Sequence, residues 1–515
     1  MTNICSSNST VSLDSNDLQA NFPIKEATIK DLHTAFHQNK LTSKELVQFY
    51  LYQIEKLNPV LRAVLEVNPD ALEQAEEADK RRAKAKESGS VESLRLDGIP
   101  ILVKDNIATK DRMNTTAGSF ALLGSVVPRD AGVVEKLRQA GAIILGKASL
   151  SEWAHFRSFG APSGWCARGG QGQNIPYLNL QNPYHLSANP SGSSSGSAIA
   201  VAANLVAVTL GTETNGSILN PSRTNSVVGI KPTLGLTSRG GVIPITPTQD
   251  TVGPICRTVA DATYVLDSIV GYDPYDSEAT TNASRYIPPD GYVQFLKLDG
   301  LEGKRLGIVR KPFFDHIEWS SKQATTFKQH FHTLREKGAI LVDNLEIPNI
   351  DAIMSSNNER MVMEFEFKLA LNSYLEQLVK TPVRSLAEVI EFNNKNAQEE
   401  MIEEYGQQIF LSAEATNGIG PEEKRLLATL EEWSRDGFEK VMVENKLDAI
   451  ITPNSSLSTV LAIGGYPGIS VPAGYGDNGV PFGICFGGLK GTEPKLIEIS
   501  YAFEQATKIR KPPSL

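Results

Sequence analysis

The 515-residue chain is 41% hydrophobic and 21% charged with a formal net charge of −9, enough apolar residue for a large core and no basic stripe of the kind nucleic acid requires. No run approaches the roughly 20 apolar residues of a membrane span. The four cysteines, Cys5, Cys166, Cys256 and Cys485, lack the spacing of a zinc site or a disulfide framework, so no metal is expected and a reducing, cytoplasmic setting is.

Met1 to Asn21 is polar and lacks the apolar segment of a signal peptide; 1–22 therefore reads as a disordered arm ahead of one domain over 23–515. Thr42-Ser43-Lys44-Glu45 has capping-box spacing, and Leu46, Val47, Tyr50, Leu51, Ile54 and Leu57 extend it as an apolar stripe that Asn58-Pro59 should stop. The next helix starts after Asn68-Pro69 and shows a charged, solvated face from Glu73 to Arg82. Residues 99–104 form an apolar run ending on a lysine, the pattern of a short buried strand. A helix at 132–140 and a strand at 142–145 then begin the alternation of an α/β fold. Gly141 to Lys147 spells most of a phosphate-binding loop. A β-run fills the space between its glycines, however, and Ala148 cannot ligate magnesium, so no nucleotide cofactor is expected.

The stretch 189–232 packs serines and glycines between two apolar runs, 198–203 and 205–210, and so reads as ordered chain and not as a linker. Gly192, Gly196, Gly211 and Gly216 permit backbone angles that let the main chain aim several N–H groups at one point, which is what an oxyanion needs. Ser193 and Ser217 can bring hydroxyls there. Lys104, at the end of a buried strand, would be desolvated and able to act as a neutral base. Residues 192–196 also satisfy G-x-S-x-G, the nucleophile elbow of α/β-hydrolases, but that chemistry needs a late histidine and the last one is His332. His155 and His185 lie nearer in sequence and read as ordinary surface or core residues.

Farther on, 240–254 reads as looped backbone, followed by a helix at 257–270, strands at 305–309 and 339–342, and a helix at 322–337 between them. Residues 351–445 turn mostly helical and polar, with Phe365, Phe367, Leu369, Leu371 and Tyr374 interspersed. This segment serves as a packed cover, a substrate-selecting cap, or both. Strands resume at 449–452, 469–471 and 482–486, and no internal repeat is visible.

The central segments resemble the amidase signature enzymes. The family patterns G-I-P-x-x-V-K-D-N, G-G-S-S-G-G-S and G-T-D-x-G-G-S-I-R-x-P-A/S become 98–106, 191–197 and 211–222, and the interval from Ser193 to Ser217 is the one the family keeps. The wording G-S-S-S-G-S-A and G-T-E-T-x-G-S-I is most similar to the peptide amidase branch, and the likeness runs from about Ile29 to the C-terminus. The resemblance implies a single large α/β domain with a mixed central sheet flanked by helices. It also implies hydrolysis of a carboxamide C–N bond through an acyl-enzyme, without cofactor or metal. Carried over by position, it makes Ser217 the nucleophile, Ser193 the bridging serine on a cis peptide, and Lys104 the base. The N–H groups of Thr214, Asn215, Gly216 and Ser217 become the oxyanion hole.

Three positions depart from the pattern: Glu213 stands for Asp, Asn215 for Gly and Leu219 for a frequent Arg. Leu219, with Phe365, Phe367 and Tyr374, suggests an apolar pocket and a preference for uncharged acyl groups over free glutamine, although Arg223 or Arg239 could restore a charge. The expected partner is a small-molecule or peptide amide, with the chain a monomer or homodimer and no membrane or nucleic acid involved. The alternatives are the glutamine-hydrolysing subunit of a tRNA amidotransferase and a non-catalytic binding protein on the same fold. An intact Lys104, Ser193 and Ser217 set speaks against the latter.

Overall fold

The computed structural model describes residues 22–88, 95–171, 188–318 and 320–513. The arm expected at 1–22 lies outside them except for Phe22, and so does His185.

An 11-stranded mixed sheet forms the centre of the molecule. Its strands, numbered in chain order with a separate two-stranded ribbon as β4 (Trp165–Cys166) and β5 (Gly170–Gln171), are β1 (Val64–Val67), β2 (Pro100–Lys104), β3 (Ile143–Ala148), β6 (Val208–Glu213), β7 (Val228–Lys231), β8 (Thr251–Cys256), β9 (Arg305–Val309), β10 (Ile340–Leu345), β11 (Ala449–Pro453), β12 (Gly468–Tyr475) and β13 (Pro481–Gly487). Across the sheet they run β1-β3-β2-β6-β8-β7-β12-β13-β11-β9-β10. Helices Ser195–Ala202, Val259–Ile269, Lys322–Glu336 and Glu493–Thr507 pack against it.

β2 pairs in parallel with β3 on one side and β6 on the other. A strand covered on all sides must be apolar throughout, which is why 99–103 shows no alternation. The register sets Val103 opposite Leu210, so β2 and β6 end at the same edge of the sheet and bring Lys104 next to the turn that follows Glu213. That edge carries the candidate site.

The helix capped by Thr42 forms as expected: Thr42 Oγ1 accepts from the Glu45 N–H at 3.1 Å, and Glu45 Oε2 accepts from the Thr42 N–H at 2.7 Å. It runs through Pro59 to Leu61 instead of stopping at Asn58. Proline in the last turn forfeits one backbone bond, and the Asn58 side chain takes up the N–H groups of Ala63 and Val64 at 2.8 and 2.9 Å, which secures the exit. The larger departure is β8, in a region read as loop. Gly253 and Pro254 hide it, because proline is unusual inside a sheet. Pro254 lies opposite Leu210 of β6, while pairing with β7 ends at Gly229 and Ile255, so its missing N–H costs no bond on that flank.

The segment 351–445 is largely helical, with the long helix Asn358–Gln377 among its elements. Phe367 is fully buried, its ring 5.0 Å from that of Phe156 and 5.3 Å from that of Phe410. Phe365 packs on Val362, Leu426 and Leu430. Tyr374 lines a cleft of about 230 Å³ with Arg129, Arg239 and Asp250.

Candidate active site

Lys104 is fully buried at the end of β2. Its Nζ lies 2.7 Å from Ser193 Oγ, 2.8 Å from Thr212 Oγ1 and 3.2 Å from the Thr212 carbonyl oxygen. Asn106 Nδ2 donates to the same Thr212 hydroxyl at 3.0 Å. Burial lowers the Lys104 pKa from 10.5 to about 7, opposed by the carboxylates of Asp250 and Glu213. Burial withdraws the side chain from bulk solvent and so disfavours the ammonium, which makes the neutral amine accessible near neutral pH. No carboxylate forms an ion pair with Lys104 among the described residues.

Ser193 is buried and follows a cis peptide bond from Gly192, as the resemblance implied. Its carbonyl accepts from the Ser151 N–H at 3.0 Å. The next residue ties the two serine segments together. The Ser194 N–H donates to the Ser217 carbonyl at 3.1 Å, and Ser194 Oγ donates to the Thr212 carbonyl at 3.0 Å. Gly196 opens the following helix where only a glycine fits: a Cβ there would meet the carbonyl oxygens of Ser149 and Ala63.

Ser217 is half-buried on the turn between β6 and the helix Leu219–Thr224. Gly216, one residue earlier, has φ +78°, and a Cβ on it would run into Asn220 Nδ2, so the turn requires glycine. Glu213 holds the far side: its Oε2 accepts from the N–H groups of Ile218 and Leu219 at 2.6 and 2.9 Å. Glutamate in place of the pattern's aspartate thus serves as a backbone clamp, and burial pushes its carboxyl pKa up. No hydrogen bond among the described residues takes up the N–H groups of Asn215 and Ser217.

The sequence-derived residues therefore converge. Lys104 and Ser193 are in direct contact, Ser193 and Ser217 sit on segments bonded to each other, and Thr214, Asn215 and Gly216 form the turn leading to Ser217. Sequence reasoning missed Thr212, the group that orients Lys104, although it lies inside the Gly211-Thr212-Glu213 motif. It also missed Asp250, whose Oδ1 accepts from Thr214 Oγ1 at 2.5 Å and whose pKa burial raises to about 6. His155 lies outside the cluster, with Nε2 bonded to the Ala161 carbonyl at 2.9 Å.

Two sequence readings change, those of Leu219 and of the arginines. Leu219 is fully buried in an apolar cluster with Val460, Leu461 and Tyr466 and does not face the site, so it supplies no basis for substrate preference. Arg239 is paired with Asp276 at 2.7 Å, whereas among the described residues Arg223 meets only the neutral Asn220 and Ser455 side chains. Lys147 of the phosphate-loop look-alike is buried in β3, with Nζ 2.6 Å from the Ile107 carbonyl and 2.8 Å from Thr115 Oγ1. A phosphate has no access to it there.

With this geometry in place, likeness to known proteins is decisive. The amidase family model matches residues 45–463. A probable amidase of Arabidopsis thaliana is 60% identical over 96% of this chain and 93% of its own length. A glutamyl-tRNA(Gln) amidotransferase subunit of Thermoanaerobacter pseudethanolicus is 31% identical over 94% of this chain and 97% of its own. The crystal structure of native peptide amidase from Stenotrophomonas maltophilia is 40% identical and superposes with a TM-score of 0.86, covering 96% of this chain and 99% of the other. The chain thus belongs to the amidase family, enzymes that hydrolyse the C–N bond of amides.

Proposed function

We propose that this protein is a stand-alone amidase in which Ser217 attacks the carboxamide carbon, Ser193 relays the proton and Lys104 receives it. The observation that carries the reading is the buried side chain of Lys104 held 2.7 Å from Ser193 Oγ with its pKa lowered to about 7. At that value roughly half of the lysine is neutral at pH 7, which suits a general base. As Ser217 Oγ bonds to carbon, its proton passes to Ser193 and the Ser193 proton to Lys104. The carbonyl oxygen becomes an oxyanion, received by the N–H groups of the turn Thr214, Asn215, Gly216 and Ser217. Collapse expels the amine or ammonia, which takes the proton back through Ser193. An acyl-Ser217 remains, and water activated by the same relay releases the carboxylate.

All three groups come from one chain, and the motif wording and the 40% identity to a peptide amidase support independent action over a role within an amidotransferase complex. Cys166, Cys256 and Cys485 are buried and unpaired, which supports a reducing compartment such as the cytoplasm. The test is ammonia release by the purified chain alone over a panel of primary amides, anilides and esters, including glutamine. Turnover without added subunits supports the reading, and activity confined to mixtures containing partner subunits overturns it. Ser217→Ala should be inactive and should not accumulate the acyl adduct that intact-mass spectrometry detects on the wild type.

A further inference from the structure

The long helix Asn358–Gln377 begins beside the candidate site, and its second residue, Glu359, is half-buried without an ion-pair partner among the described residues. Its carboxylate is met by amides instead. Asn215 Nδ2 donates to Oε1 and Oε2 at 2.9 and 3.1 Å, and Gln249 Nε2 donates to Oε1 at 2.7 Å. Asn215 Nδ2 also lies 3.1 Å from Thr459 Oγ1. A carboxylate with no cation is costly to withdraw from water, and hydrogen bonds that converge on it offset that cost. Docking of the helix does not depend on it, because Val362, Phe367, Leu371 and Leu375 already bury an apolar face.

The grip falls on the turn that leads to Ser217. Thr214 is bonded to Asp250 and Asn215 to Glu359, so the side chains of two consecutive residues are fixed from outside while the N–H groups of Asn215 and Ser217 are unengaged among the described residues. The same helix holds the neighbouring loop as well, since Glu366 accepts from Thr246 Oγ1, and from Thr248 Oγ1 at 2.7 Å. Asn215, where the family pattern has glycine, provides the handle that a glycine would lack.

We propose that Glu359 is a positioning residue for amide hydrolysis, holding the Asn215 side chain so that the N–H groups of the turn stay aimed at the substrate's carbonyl oxygen. The proposal rests on the oxyanion-hole assignment above. It makes the helical segment a working part of the site, acting through Asn215.

The experiment is steady-state ammonia release from a neutral primary amide by the wild type, Glu359→Ala, Asn215→Ala, the double variant and Glu359→Gln, with thermal melts to verify folding. Because displaced oxyanion donors cost transition-state stabilisation and not ground-state binding, each alanine variant should lose about tenfold to a hundredfold in kcat with KM within about threefold. The double variant should be no worse than the poorer single, as expected of one shared path. Glu359→Gln, whose amide oxygen still accepts from Asn215, should recover to within about fivefold of wild type. A kcat within about twofold of wild type in Glu359→Ala, a loss confined to KM, or multiplying losses in the double variant overturns the proposal. If Glu359→Ala does not fold, Asn215→Ala and Glu359→Gln decide the matter by the same kcat and KM criteria. Ser217→Ala is assayed alongside: if it stays active, the catalytic assignment itself falls, whereas a dead Ser217→Ala with an unimpaired Glu359→Ala refutes only the role of Glu359.

Discussion

The base of this site should be visible as a titration. Folding moves the Lys104 pKa from 10.5 to about 7. At about 1.4 kcal/mol per unit, the site disfavours the ammonium relative to water by about 5 kcal/mol. Only the neutral amine can accept the Ser193 proton, so kcat/KM for a neutral amide should fall on the acid side. The neutral fraction drops from about one half at pH 7 to about one eleventh at pH 6 and falls about tenfold for each further unit. Ammonia release from pH 5 to 9 measures that limb, and Lys104→Ala should abolish activity throughout. The same shift acts on stability. Between pH 7 and 10.5 the unfolded chain carries a proton on Lys104 that the folded chain does not, so folding is penalised by the full amount below pH 7 and relieved as pH rises. The wild type should therefore gain stability over Lys104→Met as pH increases from 7 to 10, as read by chemical denaturation at each pH. A flat rate profile, or a stability difference that does not move with pH, would refute a buried, titrating lysine.

Other outcomes follow from the same contacts. Ser217→Ala should fold normally and lose essentially all turnover, as circular dichroism and ammonia release would show; near wild-type rates would displace Ser217 as nucleophile. Thr212→Val removes the hydroxyl beside Lys104 Nζ while keeping the shape, and should lower kcat/KM by about tenfold through loss of the hydrogen bonds it makes with Lys104 and Asn106. Leu219→Ala should cost about 2–5 kcal/mol in denaturant melts and leave the ranking of substrates unchanged, because the side chain is core and not pocket wall. His155→Ala and chelating agents should change kcat/KM by less than about twofold, since the proposed proton path uses neither histidine nor metal; a loss of several hundredfold would favour a Ser–His mechanism.

The parts of the site legible in the sequence are those written into contiguous motifs. Lys104 closes an apolar run whose burial on both flanks is self-evident, and the Ser193 and Ser217 segments carry their glycines with them. β8 is hidden because Pro254 obeys a constraint set by its neighbours: β7 stops pairing just before it, and nothing within 240–254 announces that. Leu219 misleads because its position in the motif says nothing about which way the side chain turns. Glu359 lies 144 residues from Asn215, and a contact of that span leaves no local trace in either segment.

The bond from the Ser194 N–H to the Ser217 carbonyl has a consequence for how the site comes into being. Residues 191 to 224 form a strand, two helices and both serine turns within one continuous piece of chain, so their mutual contacts close short loops. Lys104 lies outside that unit and is brought to it by β2, which pairs along β6. Both serines thus belong to one continuous segment, and the base that activates them is delivered to it by a separate strand.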